Sequence, residues 1–149
     1  MNDTIIKFGY PNTCLIETKY WCVLLRPIQI TIGSLVIVYK DDSVHSLSRI
    51  AQGGFSEFAV ICRAFEEIMA SEFDAKKFNY LALMMVDQHV HFHALPRYEF
   101  PVEFEQNLFA DEKWPGPPDM RIASAMNPEV FEQLNRFLAP RFRSKIYSG

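Results

Sequence analysis

The chain is poor in cysteine, has no long apolar run and carries no excess of charge of one sign, and each shortage removes a class of protein. Its three cysteines, Cys14, Cys22 and Cys62, are odd in number and too widely spaced for a disulfide framework or a paired-cysteine metal knuckle. That usage fits a reducing compartment. The longest apolar run, Leu35 to Tyr39, falls far short of the ~18–20 residues a membrane helix needs. A net charge of −3, from 15 basic and 18 acidic residues well interspersed, gives no electrostatic footprint for tracking a nucleic-acid backbone. Neither nucleic acid nor a membrane is therefore an expected partner, and a nucleotide ligand would be small. The first fifteen residues mix Asn, Asp, Thr, Lys and Pro with scattered apolar side chains and lack the apolar core of a secretory signal. The expected location is the cytoplasm.

At 149 residues the expected organisation is one domain over residues 1–149, large enough to bury a core without disulfides or a structural metal. What is abundant is phenylalanine, with 13 residues, and each ring buries on the order of 150–250 Å². Tyr20 to Leu25 reads as a strand stopped at Arg26-Pro27, where proline removes a ladder donor. Gly33 introduces Ser34 to Lys40, a second run of strand formers that ends at the turn-prone Asp41-Asp42. Two neighbouring antiparallel strands are expected.

Gly53-Gly54 is read as a break before an amphipathic helix over Phe55–Phe73, where Phe58, Ile61, Cys62, Phe65, Ile68 and Met69 recur at spacings of three and four. Ser56 is its candidate N-cap, with Glu57 in the first turn. Phe78 to Val86 predicts a buried strand, Asp87-Gln88 a short turn, and His89 to Leu95 a further strand. A proline-rich irregular segment is expected over about 96–121. A C-terminal helix over about 128–139 follows, with Asn127 as N-cap, Pro128 at the first position and an apolar stripe of Phe131, Leu134, Phe137 and Leu138.

Chemistry concentrates in Gln88-His89-Val90-His91-Phe92-His93-Ala94-Leu95-Pro96-Arg97, which holds three of the four histidines. Side chains alternate across a strand, so His89, His91 and His93 are expected on one face, with neighbouring Cα atoms ~6–7 Å apart. Packing asks for apolar groups on one face of such a strand, not for three titratable rings on the other. A neutral imidazole is a competent nucleophile near pH 7 and a workable leaving group afterwards, and flanking rings can donate to phosphate oxygens. Three imidazoles also suit zinc, copper or iron, so a metalloenzyme remains the rival reading. No Cys or Glu completes a familiar ligand spacing.

The pattern His, apolar, His, apolar, His, apolar, apolar, followed by Pro96-Arg97, resembles the motif of the histidine-triad (HIT) superfamily of nucleotide hydrolases and transferases. Gly33 to Lys40 resembles that family's glycine, histidine, apolar strand and lysine block. Lys77-Phe78-Asn79-Tyr80 and the Trp114-Pro115 stretch resemble segments of one bacterial subgroup. The likeness covers roughly Cys14 to Asp119. It implies an α+β fold with a mainly antiparallel five-stranded sheet, one long helix and a C-terminal helix, usually as a homodimer. It further implies cleavage of a phosphoanhydride, phosphoramidate or phosphoester bond of a nucleotide-like substrate, as in diadenosine polyphosphate hydrolases, through a nucleotidyl-histidine on His91. His89 and His93 then support the nucleophile, and no cofactor is required.

Candidate substrate contacts are Asn79, Arg26, Ser34, Gln88 and Arg97. Three positions depart from the family pattern. Ser34 stands where many members have a histidine, Arg26 aligns with an acidic residue that holds ribose hydroxyls, and Met84-Met85 replaces a Gly-Asn pair. These departures keep a noncatalytic nucleotide sensor open as a third reading. His45 is a possible distant donor or a surface histidine, and Trp114 either covers the site or packs at a dimer interface.

Overall fold

A computed structural model of the protein describes residues 2–121 and 126–147. Five antiparallel strands form the main sheet in the order β1-β2-β3-β5-β4, with β1 Cys14–Glu17, β2 Trp21–Leu25, β3 Leu35–Tyr39, β4 Lys77–Leu81 and β5 His91–Arg97. A hairpin of β6 Val102–Phe104 and β7 Asn107–Phe109 makes a second, two-stranded sheet. The helices are α1 Asp3–Lys7, α2 Gln52–Phe73 and α3 Pro128–Tyr147. This is the expected α+β architecture.

β2 and β3 are buried along their whole length, which is why they read as unbroken apolar runs rather than alternating ones. On one face Trp21, Val23, Leu25, Leu35, Ile37 and Tyr39 pack against the apolar stripe of α2 and against α3. On the other, Cys22, Leu24, Val36 and Val38 pack against Ile5 of α1, with Phe8 and Tyr10 alongside. Register fixes what joins that second face: Val36 lies opposite His93 and Val38 opposite His91. The histidines of β5 therefore extend an apolar face that α1 partly covers.

Several expectations are corrected. Gly53 and Gly54 lie inside α2, whose N-cap is Ala51, and Ser56 is a helical residue whose hydroxyl reaches the Gln52 carbonyl. Close approach explains the glycine: a Cβ on Gly54 would sit 2.7 Å from Ile50 and 2.9 Å from Tyr39, while the Trp21 indole donates to the Gly54 carbonyl at 2.7 Å. β4 stops at Leu81, and the rest of the expected buried strand is a loop with Leu83, Met85 and Val86 exposed. β5 begins at His91, not His89, and runs on to Arg97. Pro96 is tolerated because β3 pairing ends at Ala94 and the Thr31 hydroxyl takes the Pro96 carbonyl at 2.6 Å, so its missing N–H faces the vacated side.

The segment over 96–121 contains the β6–β7 hairpin, turned through Glu105 and Gln106 at φ 48° and 65°. Asn127 caps α3, accepting from the Glu129 N–H at 2.9 Å. That helix continues past Pro140 because Phe142 is buried and Arg141 and Lys145 pair with Glu72 and Glu67 of α2. Cys14 and Cys22, eight residues apart, bring their Sγ atoms to 4.0 Å across β1 and β2 as free thiols. No helix among the described residues is long and apolar enough to cross a membrane.

Candidate active site

β5 presents His91 and His93, separated by two positions, to the same face, with ring centroids 5.2 Å apart and nearly perpendicular. Both are buried, at 3 % and 7 % exposure. Phe8, just beyond α1, lies against both rings at 6.3 and 5.8 Å. A cavity of about 340 Å³ opens onto them, bounded by Lys7, Phe8, Arg26, Asp87, the 83–86 loop and Met120.

The hydrogen bonds fix the ring tautomers. His91 Nδ1 lies 2.7 Å from the His89 carbonyl oxygen, which can only accept, so Nδ1 carries the proton and Nε2 keeps its lone pair. His93 Nδ1 lies 3.3 Å from Arg26 Nε, which can only donate, so the neutral His93 ring carries its proton on Nε2. Burial, then the positive charge of Arg26, then His91 push the His93 pKa down to about 4. His93 is thus neutral at pH 7.

Contrary to a three-rung ladder, His89 precedes the strand. Its ring pairs with Thr4 of α1 at 2.9 Å and meets the edge of the His45 ring at 5.4 Å. Its backbone carbonyl, rather than its imidazole, is what reaches His91. His45 itself is exposed and donates to the Asp42 carbonyl through Nε2 at 3.1 Å. Gln88 is exposed in the loop before β5 and does not line the cavity.

Two other candidate contacts serve the scaffold. Ser34 is fully buried, with its hydroxyl donating to the Thr31 carbonyl at 2.6 Å and accepting from the Thr31 N–H at 3.1 Å. It closes the turn before β3. Arg97 is 3 % exposed and uses four of its five N–H groups within the protein: it pairs with Asp111 at 2.6 and 3.1 Å, and donates to Asn79 Oδ1 at 2.7 Å and the Gly116 carbonyl at 2.8 Å. Asn79 therefore spends its oxygen on Arg97. Both residues, with Trp114 and the 115–118 segment, line a separate cavity of about 670 Å³ along β4.

Arg26 is the one candidate contact that joins the two histidines. It is half-buried, donates to His93 and, through Nη1, to the Ile28 carbonyl at 2.7 Å, and desolvation lowers its pKa. Lys7 is held by both oxygens of Asp87, at 3.0 and 2.8 Å. Sequence reasoning missed α1 and with it Thr4, Lys7 and Phe8. Five residues are too few for periodicity, but Asn2 before Asp3 is a capping signal, and its side chain does accept from the Ile5 N–H at 3.0 Å.

No protein-family model matches the chain, and no curated protein matches it. Solved structures do. A histidine triad protein from Marinobacter aquaeolei VT8 superposes with a TM-score of 0.71 at 16% identity, covering 99% of this chain and 96% of that one. A zinc-bound histidine triad family protein from Mycobacterium smegmatis gives 0.58 at 16% identity over 98% and 94%. The Plasmodium falciparum diadenosine triphosphate hydrolase, in complex with cyclomarin A, gives 0.57 at 15% identity over 93% and 78%. The chain has the fold of the histidine triad proteins.

Proposed function

We propose that the protein is a histidine-triad-type hydrolase or nucleotidyl transferase in which His91 attacks the phosphorus of a nucleotide-like substrate. The observation that carries this reading is the tautomer of His91: its Nδ1–H is engaged by the His89 carbonyl, which in the neutral ring leaves the Nε2 lone pair as the nucleophile.

In the first step that lone pair bonds to phosphorus, and the phosphorus–oxygen or phosphorus–nitrogen bond to the leaving group breaks, its electron pair departing with that group. In the second, water attacks phosphorus and gives up one proton to solvent, the phosphorus–Nε2 bond breaks with its electron pair returning to Nε2, and the nucleotide leaves with His91 restored. An acceptor hydroxyl or amine in place of water makes the same chemistry a transfer. His93, neutral and protonated on Nε2, supplies a hydrogen bond to a phosphoryl oxygen as negative charge grows there. His89 acts through its carbonyl, as a positioning residue.

The test is a quenched-flow screen on dinucleoside polyphosphates, nucleoside phosphoramidates and nucleotide sugars, with and without chelator. His91→Asn is expected to fold and bind but not turn over, and mass spectrometry is expected to find an acid-labile adduct on His91 alone. His93→Gln is expected to lose about 10²–10³-fold in kcat, as for loss of one preorganised donor. An active His91→Ala protein would overturn the mechanism. Activity lost to chelator and restored by zinc would move the histidines to the role of metal ligands, and tight nucleotide binding with no turnover would make the protein a sensor.

The same reading takes the protein as a homodimer, supported by the unpaired outer edge of β4 and the exposed Leu83, Met85 and Val86 that follow it. Sedimentation at the 17.3 kDa of a monomer at micromolar concentration would refute it.

A further inference from the structure

The cavity beside His91 and His93 holds a charge that the protein does not neutralise. Lys7 and Asp87 cancel each other in a two-point ion pair, and His93 is held neutral. Arg26 has no carboxylate partner among the described residues. Of the five N–H groups of a guanidinium, one goes to His93 and one to the Ile28 carbonyl. The remaining three have no partner among the described residues. A half-buried cation in this state is costly to leave alone, because it has given up part of its hydration without gaining a counter-ion.

The rest of the lining narrows what can fill the gap. Asp87 is the only carboxylate among the described lining residues, and Lys7 already pairs with both its oxygens, so the cavity offers a sugar diol no carboxylate without a counter-ion. Phe8, Leu83, Met84, Met85, Val86 and Met120 make the remaining wall apolar. His93 stands between the two reactive partners, its ring 5.2 Å from that of His91 and its Nδ1 3.3 Å from Arg26.

We infer that Arg26 is the specificity-determining residue of this site, selecting phosphoanhydrides in which a second phosphate, adjacent to the one His91 attacks, pairs with the guanidinium. A planar fork of N–H donors suits a phosphate oxygen pair. Substrates that carry an uncharged group on the reacting phosphorus leave Arg26 unpaired and are disfavoured. By holding Nδ1 of His93, Arg26 also keeps the His93 proton on Nε2, so one residue orients the donor and reads the substrate. The inference rests on the proposed function only for the identity of the attacked phosphorus.

Binding separates the two. Titration calorimetry with inorganic pyrophosphate and with inorganic phosphate, on the full chain and on its Arg26→Met and Arg26→Lys variants, measures the preference without any turnover. The wild type is expected to prefer pyrophosphate, and Arg26→Met to cut that preference by about tenfold, the size of one charge-assisted contact. Arg26→Lys, which keeps the charge and loses the fork, is expected to fall between them and covers the case in which Arg26→Met does not fold. Nitrogen-15 spectra of the His93 ring are expected to show the Nε2–H tautomer in the wild type and a mixture in Arg26→Met. A preference that changes by less than about threefold in Arg26→Met, or a wild type that does not distinguish or bind the two anions, overturns the inference. If the preference holds while dinucleoside polyphosphates are not hydrolysed, the anion site stands and the enzymatic reading falls.

Discussion

Arg97 follows the histidine run so closely that it reads as a phosphate ligand, yet its place in the fold predicts the opposite behaviour. Its guanidinium and the Asp111 carboxylate are exposed by only 4 % and 3 %, and replacing it with methionine keeps the apolar stem while removing every donor. Three acceptors would lose their partner: the Asp111 carboxylate, the Asn79 oxygen and the Gly116 carbonyl. Among the described residues only the Tyr98 N–H, at 3.2 Å, would remain on Asp111. Breaking a buried pair from one side costs about 3–5 kcal/mol, because the surviving charge is left in a low-dielectric site. For a chain of this length each kcal/mol moves Tm by about 2–4 °C, so Arg97→Met is expected to melt roughly 6–20 °C early. Urea and thermal unfolding followed by tryptophan fluorescence measure this. Phosphate affinity, taken well below the melting range, is expected to stay within about twofold, since Arg97 does not line the histidine cavity. The double variant Arg97→Met/Asp111→Leu is expected to recover most of the loss, as buried pairs replaced by apolar groups often do. A single variant that loses under about 1 kcal/mol but binds phosphate poorly would refute the structural assignment and return Arg97 to the substrate site.

Three further outcomes follow from individual contacts. Asn2 both caps α1 and donates to the Tyr39 carbonyl at 3.0 Å, so Asn2→Ala is expected to cost about 1–2 kcal/mol and to raise the reactivity of Cys14 and Cys22 toward a thiol reagent as α1 frays; unchanged thiol kinetics would count against α1 as a cover. Gly33 has φ of +89°, and a Cβ there would meet the Met69 sulfur at 2.7 Å, so Gly33→Ala is expected to lose at least ~1 kcal/mol, with an unaltered urea midpoint the contrary result. His93 is held neutral in the fold, with its pKa lowered from 6.5 to about 4, so on acidification the unfolded chain takes up that proton first and stability falls as pH drops from about 6.5 to about 4. The loss is on the order of 3 kcal/mol and absent from His93→Gln, so parallel stability profiles for the two proteins across that window would refute the buried neutral ring.

How much of this was legible in the sequence depends on which physical signal each element left. β2, β3 and the body of α2 announced themselves because burial on one or both faces writes an apolar pattern directly into the chain. The β6–β7 hairpin left none, because Glu105 and Gln106 take the left-handed turn positions that glycine or asparagine ordinarily marks. The 83–86 loop misled in the other direction: Leu83, Met84, Met85 and Val86 read as a buried strand, yet they are apolar because they wall a cavity and face outward beyond β4. An apolar run records contact with something other than water, and that partner need not be the protein's own core.

The site divides along the same line. A period of two placed His91 and His93 on one face, since alternation is a property of the strand itself. It failed for His89, because alternation holds only where the backbone is extended, and β5 begins two residues later. The consequence is chemical as well as geometric. By leaving the strand, His89 turns its carbonyl toward His91 and its ring toward Thr4, so what would be a third imidazole donor becomes a fixed acceptor that sets the tautomer of the second. No residue pattern encodes that exchange of side chain for main chain, nor the arrival of Arg26 at His93 from a turn 67 positions earlier. The histidines could be read as a motif; which nitrogen of each holds the proton follows only from what the folded chain sets beside them.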